Sequence, residues 1–371
     1  MKIAKVEADY IRMPLSYVQK HEFIPTQLDA GCVLTRITCD NGLVGFGRTY
    51  GGGVFGSHTV KTCVVRELAP VLIGQDPTKI QDLWNKMEIT SHFLGRTGIV
   101  FAAVSTVDIA LWDLLGKSLG VPIYKLLGQA REEVPVYSSE GWVYLSVDEL
   151  VEKVKIRMKE GYRAYKLRLP SDKKTCIAKM RAVRDLAGPE FNIMIDVQNA
   201  WQNLPLSIRN AEAIKEFDPF WIEEPVMVYD LDGHAGITEI TGIPVAGGEH
   251  IYSKNMMREA FSKKAFCYAQ PDVMRIGGFS EMQKVIGMAE SWFVPVVPHG
   301  ACEIHTHLAL AHTAESMPYI ELLTDSEAPL IHDILYSDYE LPKDGKAYVT
   351  TKPGLGYTLN EDAIREHIVK D

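Results

Sequence analysis

Ile193-Met194-Ile195-Asp196, Trp221-Ile222-Glu223-Glu224-Pro225 and Ala246-Gly247-Gly248-Glu249 decide how this chain folds. Each is a short apolar run that closes on a carboxylate, and each reads as a buried strand bounded by turn residues. The same texture extends in both directions. Strands are predicted at 134–138, 164–169, 192–196, 220–223, 244–246, 266–270, 295–298 and 319–322. Helical patterns lie between them at 148–160, 175–187, 206–217, 255–263, 280–291 and 303–315. Regular alternation of strand and helix requires a mainly parallel sheet, and eight strands in series favour a closed barrel over an open sheet.

Upstream the pattern is different. Residues 3–11, 32–39 and 42–49 read as strands, with Cys39-Asp40-Asn41-Gly42 as a hairpin turn. Helices are predicted at 60–72, 79–87 and 97–119, the last apolar on most faces and therefore buried. Residues 1–125 thus form an α+β unit, 126–325 the barrel, and 326–371 a mixed segment that folds back onto the first unit.

The chain of 371 residues carries a net charge of −9 with no basic stripe, which excludes a nucleic-acid footprint. Its six cysteines form no CxxC pair and read as reduced, buried thiols. Neither a signal-peptide pattern nor a charge-free apolar run of membrane-spanning length is present, so a cytoplasmic protein without membrane contact is expected.

Loops that follow the strands build the active site of such a barrel. Asp196, Glu223 and Glu249 end three neighbouring strands, so three carboxylates meet at one rim. They repel one another unless protonated or bridged by a cation, and all-oxygen ligands suit Mg²⁺ first and Mn²⁺ second. A single acid in such a place is commonly a helix cap or a surface charge; three in consecutive units are harder to explain so. Lys166 and Arg168, two apart on one strand, both face the interior, where a cation needs a partner. Asp272 and His299 end the next strands. A carboxylate on one imidazole nitrogen fixes the tautomer and raises basicity, as a general base requires. Glu321 ends the eighth strand at the same rim.

The order Lys-x-Arg, Asp, Glu-Glu-Pro, Gly-Gly-Glu, Pro-Asp-x-x-x-x-Gly-Gly, His, Glu resembles the mandelate racemase group of the enolase superfamily. The likeness covers nearly the whole chain, including Val107-Asp108-Ile109-Ala110-Leu111-Trp112-Asp113. It implies an α/β fold: a modified TIM barrel, (β/α)7β, with an N-terminal α+β capping domain completed by the C-terminal segment. It also implies Asp196, Glu223 and Glu249 as Mg²⁺ ligands, Asp272 and His299 as the catalytic dyad, and Lys166 and protonated Glu321 as donors to a substrate carboxylate. Arg168, Gln198, Tyr17, His21, Tyr50 and His58 become candidate substrate contacts, the last four on lid loops. Relatives are commonly symmetric assemblies, so a homo-oligomer is expected.

One departure matters. Arg168 stands where racemases of the group carry a second lysine base, and a guanidinium is a permanent cation. The expected reaction is therefore abstraction of the proton next to a small-molecule carboxylate by His299 alone, through an enediolate. Dehydration of an aldonate or aldarate to a 2-keto-3-deoxy acid is the leading expectation. Cycloisomerisation of a sugar-acid lactone or anhydro acid is second and racemisation or epimerisation third. An inactive carboxylate-binding barrel is the non-enzymatic alternative.

Overall fold

Residues 1–19, 27–50, 56–323, 331–348 and 351–370 are described by the computed structural model, with backbone only at 13–19, 27–30 and 50. Strands β1 (Ile3–Gln19), β2 (Gln27–Cys39) and β3 (Val44–Tyr50) form an antiparallel sheet in that order. The predicted turn closes with the Gly42 N–H donating to the Cys39 carbonyl at 3.0 Å, Gly42 taking φ 83°. The first two strands outrun their apolar alternation, because antiparallel pairing continues past Ile11 to Pro14 opposite Asp29. Residues 57–72 are helical, with a π-helical stretch at Cys63–Leu68. Pro70 has no N–H for an α-helical bond, and the widened register accommodates it.

Helix Ile99–Leu119 is apolar and long enough to cross a membrane, yet here it is core. Gly45 and Gly47 of β3 let it approach. A Cβ on either would stand 2.4 Å from the Ala110 carbonyl or 2.3 Å from that of Thr106. Its other face docks on the barrel: Asp108 accepts from the Ser280 hydroxyl (2.6 Å) and N–H (3.0 Å), and the Ser105 hydroxyl accepts from the Gly277 N–H (2.8 Å). Gly278, at φ 78°, leaves no room beside Asp108 for a side chain. The Gly-Gly pair is thus a docking point.

The barrel strands β4 (Val134–Gly141), β5 (Ala164–Arg168), β6 (Asn192–Asp196), β7 (Trp221–Glu223), β8 (Val245–Gly247) and β9 (Tyr268–Ala269) are parallel neighbours in sequence order. β10 (Ile320–Leu322) returns to pair with β4. The seventh strand, predicted at 295–298, shrinks to a bridge between Val296 and Ala269, since Pro295 and Pro298 bring no N–H to a ladder. Helices Val147–Lys159, Lys173–Ala187, Leu204–Ile214, Leu231–Thr241, Lys254–Ser262, Gly278–Ser291 and Cys302–Ala311 connect the strands. This is the expected (β/α)7β order. Leu231–Thr241 went unpredicted, because Gly233, His234 and Gly236 dilute its apolar spacing.

Inward residues Tyr137, Ala164, Met194, Trp221, Ala246 and Val297 fill the barrel. Outward Tyr165, Leu167, Ile193, Ile195 and Ile222 pack beneath the helices. That period of two aims Lys166 and Arg168, Asp196 and Glu223 inward at the next pleat. The C-terminal segment touches both parts. β11 (Lys346–Ala347) pairs with β4, Ile368 bridges to Ile11, and the Leu355 N–H donates to Asp113 at 2.8 Å.

Candidate active site

Lys166 lies at the centre of the rim. Its ammonium donates to both Glu223 oxygens at 2.9 Å, stands 2.9 Å from Glu321 Oε1 and 3.7 Å from Asp196. Only 1 % of it is exposed, and these carboxylates raise its pKa well above the ordinary value against the cost of burial. Arg168 stacks on the Trp142 ring at 4.1 Å, and its Nε lies 3.6 Å from Asp196. Its Nη2 reaches the Ser139 hydroxyl at 3.4 Å, while buried Nε and Nη1 find no hydrogen-bond partner among the described residues. These nitrogens can therefore donate to a bound oxygen beside the rim.

The dyad is formed. His299 Nδ1 lies 3.0 Å from Asp272 Oδ2, and the Met274 N–H holds the other oxygen at 2.8 Å. His299 Nε2 turns to the rim, 3.1 Å from Glu249 Oε2. Burial alone would lower the His299 pKa; Glu249 and Asp272 instead raise it to about 9. Burial also opposes ionisation of Glu249, and the charges of His299, His250 and Arg275 overcome it and hold its pKa below the usual range.

Asp196 and Glu223 behave differently. Burial raises both, Glu223 to about 8, against the pull of Lys166; Glu249 adds to the rise of Asp196, and Asp196 to that of Glu223. The nearby cations do not offset the burial of these carboxylates. Their oxygen donors and their coupling to Glu249 fit a hard divalent cation. A tighter grouping is Glu224, Glu249 and His250, whose ligating atoms lie within 4.8 Å of one another. Glu224, however, already accepts from Asn199 Nδ2 (3.0 Å) and meets His250 Nδ1 (3.0 Å). Its backbone is left-handed, at φ 42°. Its needs are met without an ion, so Asp196, Glu223 and Glu249 are the better candidate set.

Glu321 requires a correction. Burial would push its carboxyl up, but Lys166 brings it down to about 2, and it also accepts the Gly300 N–H at 2.8 Å. That direction favours a carboxylate over the expected protonated acid. Gln198 sits beside the rim with its N–H donating to Asp196 at 2.8 Å. His58 is exposed and lies edge-on to Tyr10, 4.9 Å between ring centres. Tyr17 and Tyr50 lie on β1 and β3, their side chains outside the description; His21 is outside the described residues.

Two partners were missed from sequence. Gln270 donates to Glu223 Oε2 at 2.8 Å. Arg275 reaches Glu249 at 3.2 Å and Asp272 at 3.7 Å. Gln270 precedes Asp272 by two residues and Arg275 follows it by three, a spacing that flags both as neighbours of the dyad.

Comparison with known proteins places the chain in a family. The family profile described as mandelate racemase / muconate lactonizing enzyme, N-terminal domain, matches residues 18–128, and that described as enolase C-terminal domain-like matches 149–363. L-talarate/galactarate dehydratase of Salmonella typhimurium is 31 % identical over 346 residues, 91 % of this chain and 82 % of the relative. 3,6-anhydro-alpha-L-galactonate cycloisomerase of Streptomyces coelicolor is 32 % identical over 306 residues, 82 % of this chain and 84 % of the relative. The crystal structure of L-talarate dehydratase from Polaromonas sp. JS666, complexed with Mg and L-glucarate, superposes with a TM-score of 0.90 at 29 % identity, covering 100 % of this chain and 98 % of that one.

Proposed function

Because this chain belongs to the mandelate racemase-like group of the enolase superfamily, we propose that it is a Mg²⁺-dependent sugar-acid dehydratase. It takes an aldonate or aldarate to a 2-keto-3-deoxy acid. The observation that carries the reading is the His299–Asp272 dyad, at 3.0 Å, with the other imidazole nitrogen turned to the carboxylate rim, 3.1 Å from Glu249. The dehydratase relative and the Mg-containing dehydratase structure support it.

Asp196, Glu223 and Glu249 are the residues that would hold the cation. Mg²⁺, or Mn²⁺ in its place, supplies Lewis-acid stabilisation of the charge that grows on the substrate carboxylate. Lys166 turns part of its hydrogen bonding to a carboxylate oxygen, and Glu321 keeps the ammonium in place. Glu249 is the main charge that raises the His299 pKa against burial. With that carboxylate engaged in cation binding, the imidazole would return to neutral, Asp272 would hold its Nδ1 proton, and Nε2 would take the proton from C2. The same Nε2–H then gives that proton to the hydroxyl leaving C3. Water departs, and the enol left behind tautomerises to the keto acid. Arg168 offers hydrogen-bond donors to a substrate oxygen and no base, which favours this one-base course over racemisation.

Cycloisomerisation of a lactone or anhydro acid is the second reading, favoured by the 32 % identical cycloisomerase. It uses the same abstraction with ring opening in place of water loss. Incubation with Mg²⁺ and a panel of aldonates, aldarates and their lactones, followed by keto-acid detection and product NMR, separates the two. Keto acid from an open-chain acid supports dehydration; ring opening confined to the cyclic substrates would replace it with the second reading.

A further inference from the structure

The helix after His299 begins Cys302-Glu303-Ile304-His305, and His305 is fully buried. Its Nε2 faces the Val273 N–H at 3.1 Å; its Nδ1 faces the Gly300 carbonyl at 2.6 Å. A backbone N–H only donates and a carbonyl only accepts. The ring is therefore neutral, with its proton on Nδ1 and a lone pair on Nε2. Burial, which lowers its pKa, acts in the same direction.

The two partners are not arbitrary backbone. Val273 follows Asp272 and Gly300 follows His299. Besides the dyad contact itself, the His299 N–H reaches the Pro271 carbonyl at 3.3 Å, a long bond. Gly300 and Ala301 are both left-handed, at φ 61° and 40°, and this shape is held by Glu321 on the Gly300 N–H and by His305 on the Gly300 carbonyl. We infer that His305 is a positioning residue, a neutral imidazole strut that holds the loop of Asp272 and the loop of His299 at hydrogen-bonding distance. It touches neither dyad side chain through its own nitrogens and acts only through the backbone next to each. As a statement about turnover, this rests on the function proposed above; as a statement about geometry, it does not.

The test uses the full-length protein and three variants. His305→Phe fills the space and removes both bonds. His305→Asn keeps an N–H donor near the Gly300 carbonyl, and His305→Gln keeps an acceptor near the Val273 N–H. The readout is the low-field imidazole N–H proton resonance of His299, assigned by its loss in His299→Asn. Expected is a sharp signal in the parent, loss or broadening in His305→Phe, and partial recovery in the Asn or Gln variant. Thermal melts show which variants fold, and the Asn and Gln proteins serve if Phe does not. An unchanged resonance in any folded variant lacking one of the two bonds would overturn the strut. With a substrate that the parent turns over, kcat should fall about 10- to 100-fold in His305→Phe with KM nearly constant. A fall in KM-limited binding alone would also overturn it. If the parent turns over no sugar acid, the proposed reaction fails, and the resonance decides the role of His305 by itself.

Discussion

Lys166 donates to both oxygens of Glu223 at 2.9 Å, so one ammonium satisfies the whole face of a carboxylate that burial otherwise drives toward protonation. The pair sets the charge of the rim. Replacing Lys166 by Met should leave Mg²⁺ binding intact or tighter, because a competing cation is gone. Turnover should fall by about 10²- to 10³-fold through loss of a donor to the developing oxyanion. Calorimetric Mg²⁺ titration beside steady-state kinetics checks both halves. Loss of Mg²⁺ binding would mean that Lys166 only holds the acids together.

Arg168 ends β5, stacked on Trp142, with two nitrogens that have no hydrogen-bond partner among the described residues. Arg168→Lys places an amine there that can give up its proton. The variant should exchange the C2 proton of the opposite epimer in D₂O, which the parent should not. If the parent already exchanges both epimers, the one-base argument is wrong.

Arg48 of β3 and Glu303 of the helix after His299 form a buried ion pair, Nε to Oε1 at 2.7 Å, with 4 % and 2 % exposure. Removing one member strands the other charge. Glu303→Gln should lower stability by about 3–5 kcal/mol. The double change Arg48→Met, Glu303→Leu should recover most of that loss, as urea melts of the three proteins would show. Equal losses in the single and double variants would mean that the pair is more than a matched desolvation.

Much of this was legible in the chain because it depends on local spacing. Asp196 and Glu223 end strands whose inward residues, Met194 and Trp221, recur every second position, and the alternation aims the acids without any knowledge of the fold. Asp272 and His299 follow from strand order alone. What was hidden depends on contacts across long separations. Glu321 reads as an acid at a strand end, but its ionisation is set by Lys166, 155 positions away in sequence (321 − 166). The Val107–Asp113 run read as part of a family likeness; only the structure shows Asp108 on Ser280 and Asp113 bridging the Phe46 and Leu355 N–H groups. The helix at Leu231–Thr241 was lost for the opposite reason, since packing imposes it on a sequence with weak helical spacing.

His307 gives a pH prediction with a definite sign. The Tyr124 N–H points at its Nδ1 (3.3 Å), the Leu355 carbonyl meets its Nε2 (3.1 Å), and burial lowers its pKa from 6.5 to about 4. Between those values the unfolded chain binds a proton that the folded protein refuses, so the stability present above pH 6.5 is lost as pH falls toward 4. At pH 5 this group should cost about 2 kcal/mol relative to pH 7. Denaturation at both values, compared with His307→Gln, should show the parent losing that much more than the variant. Parallel losses would place the titration elsewhere.

The most direct measurement is exchange of the C2 proton in D₂O, followed by NMR with Mg²⁺ and a sugar acid from the panel, in the parent and in His299→Asn. The account predicts Mg²⁺-dependent loss of the C2 proton signal or formation of keto acid in the parent. The variant should show neither while still binding Mg²⁺. Undiminished exchange in His299→Asn would contradict it.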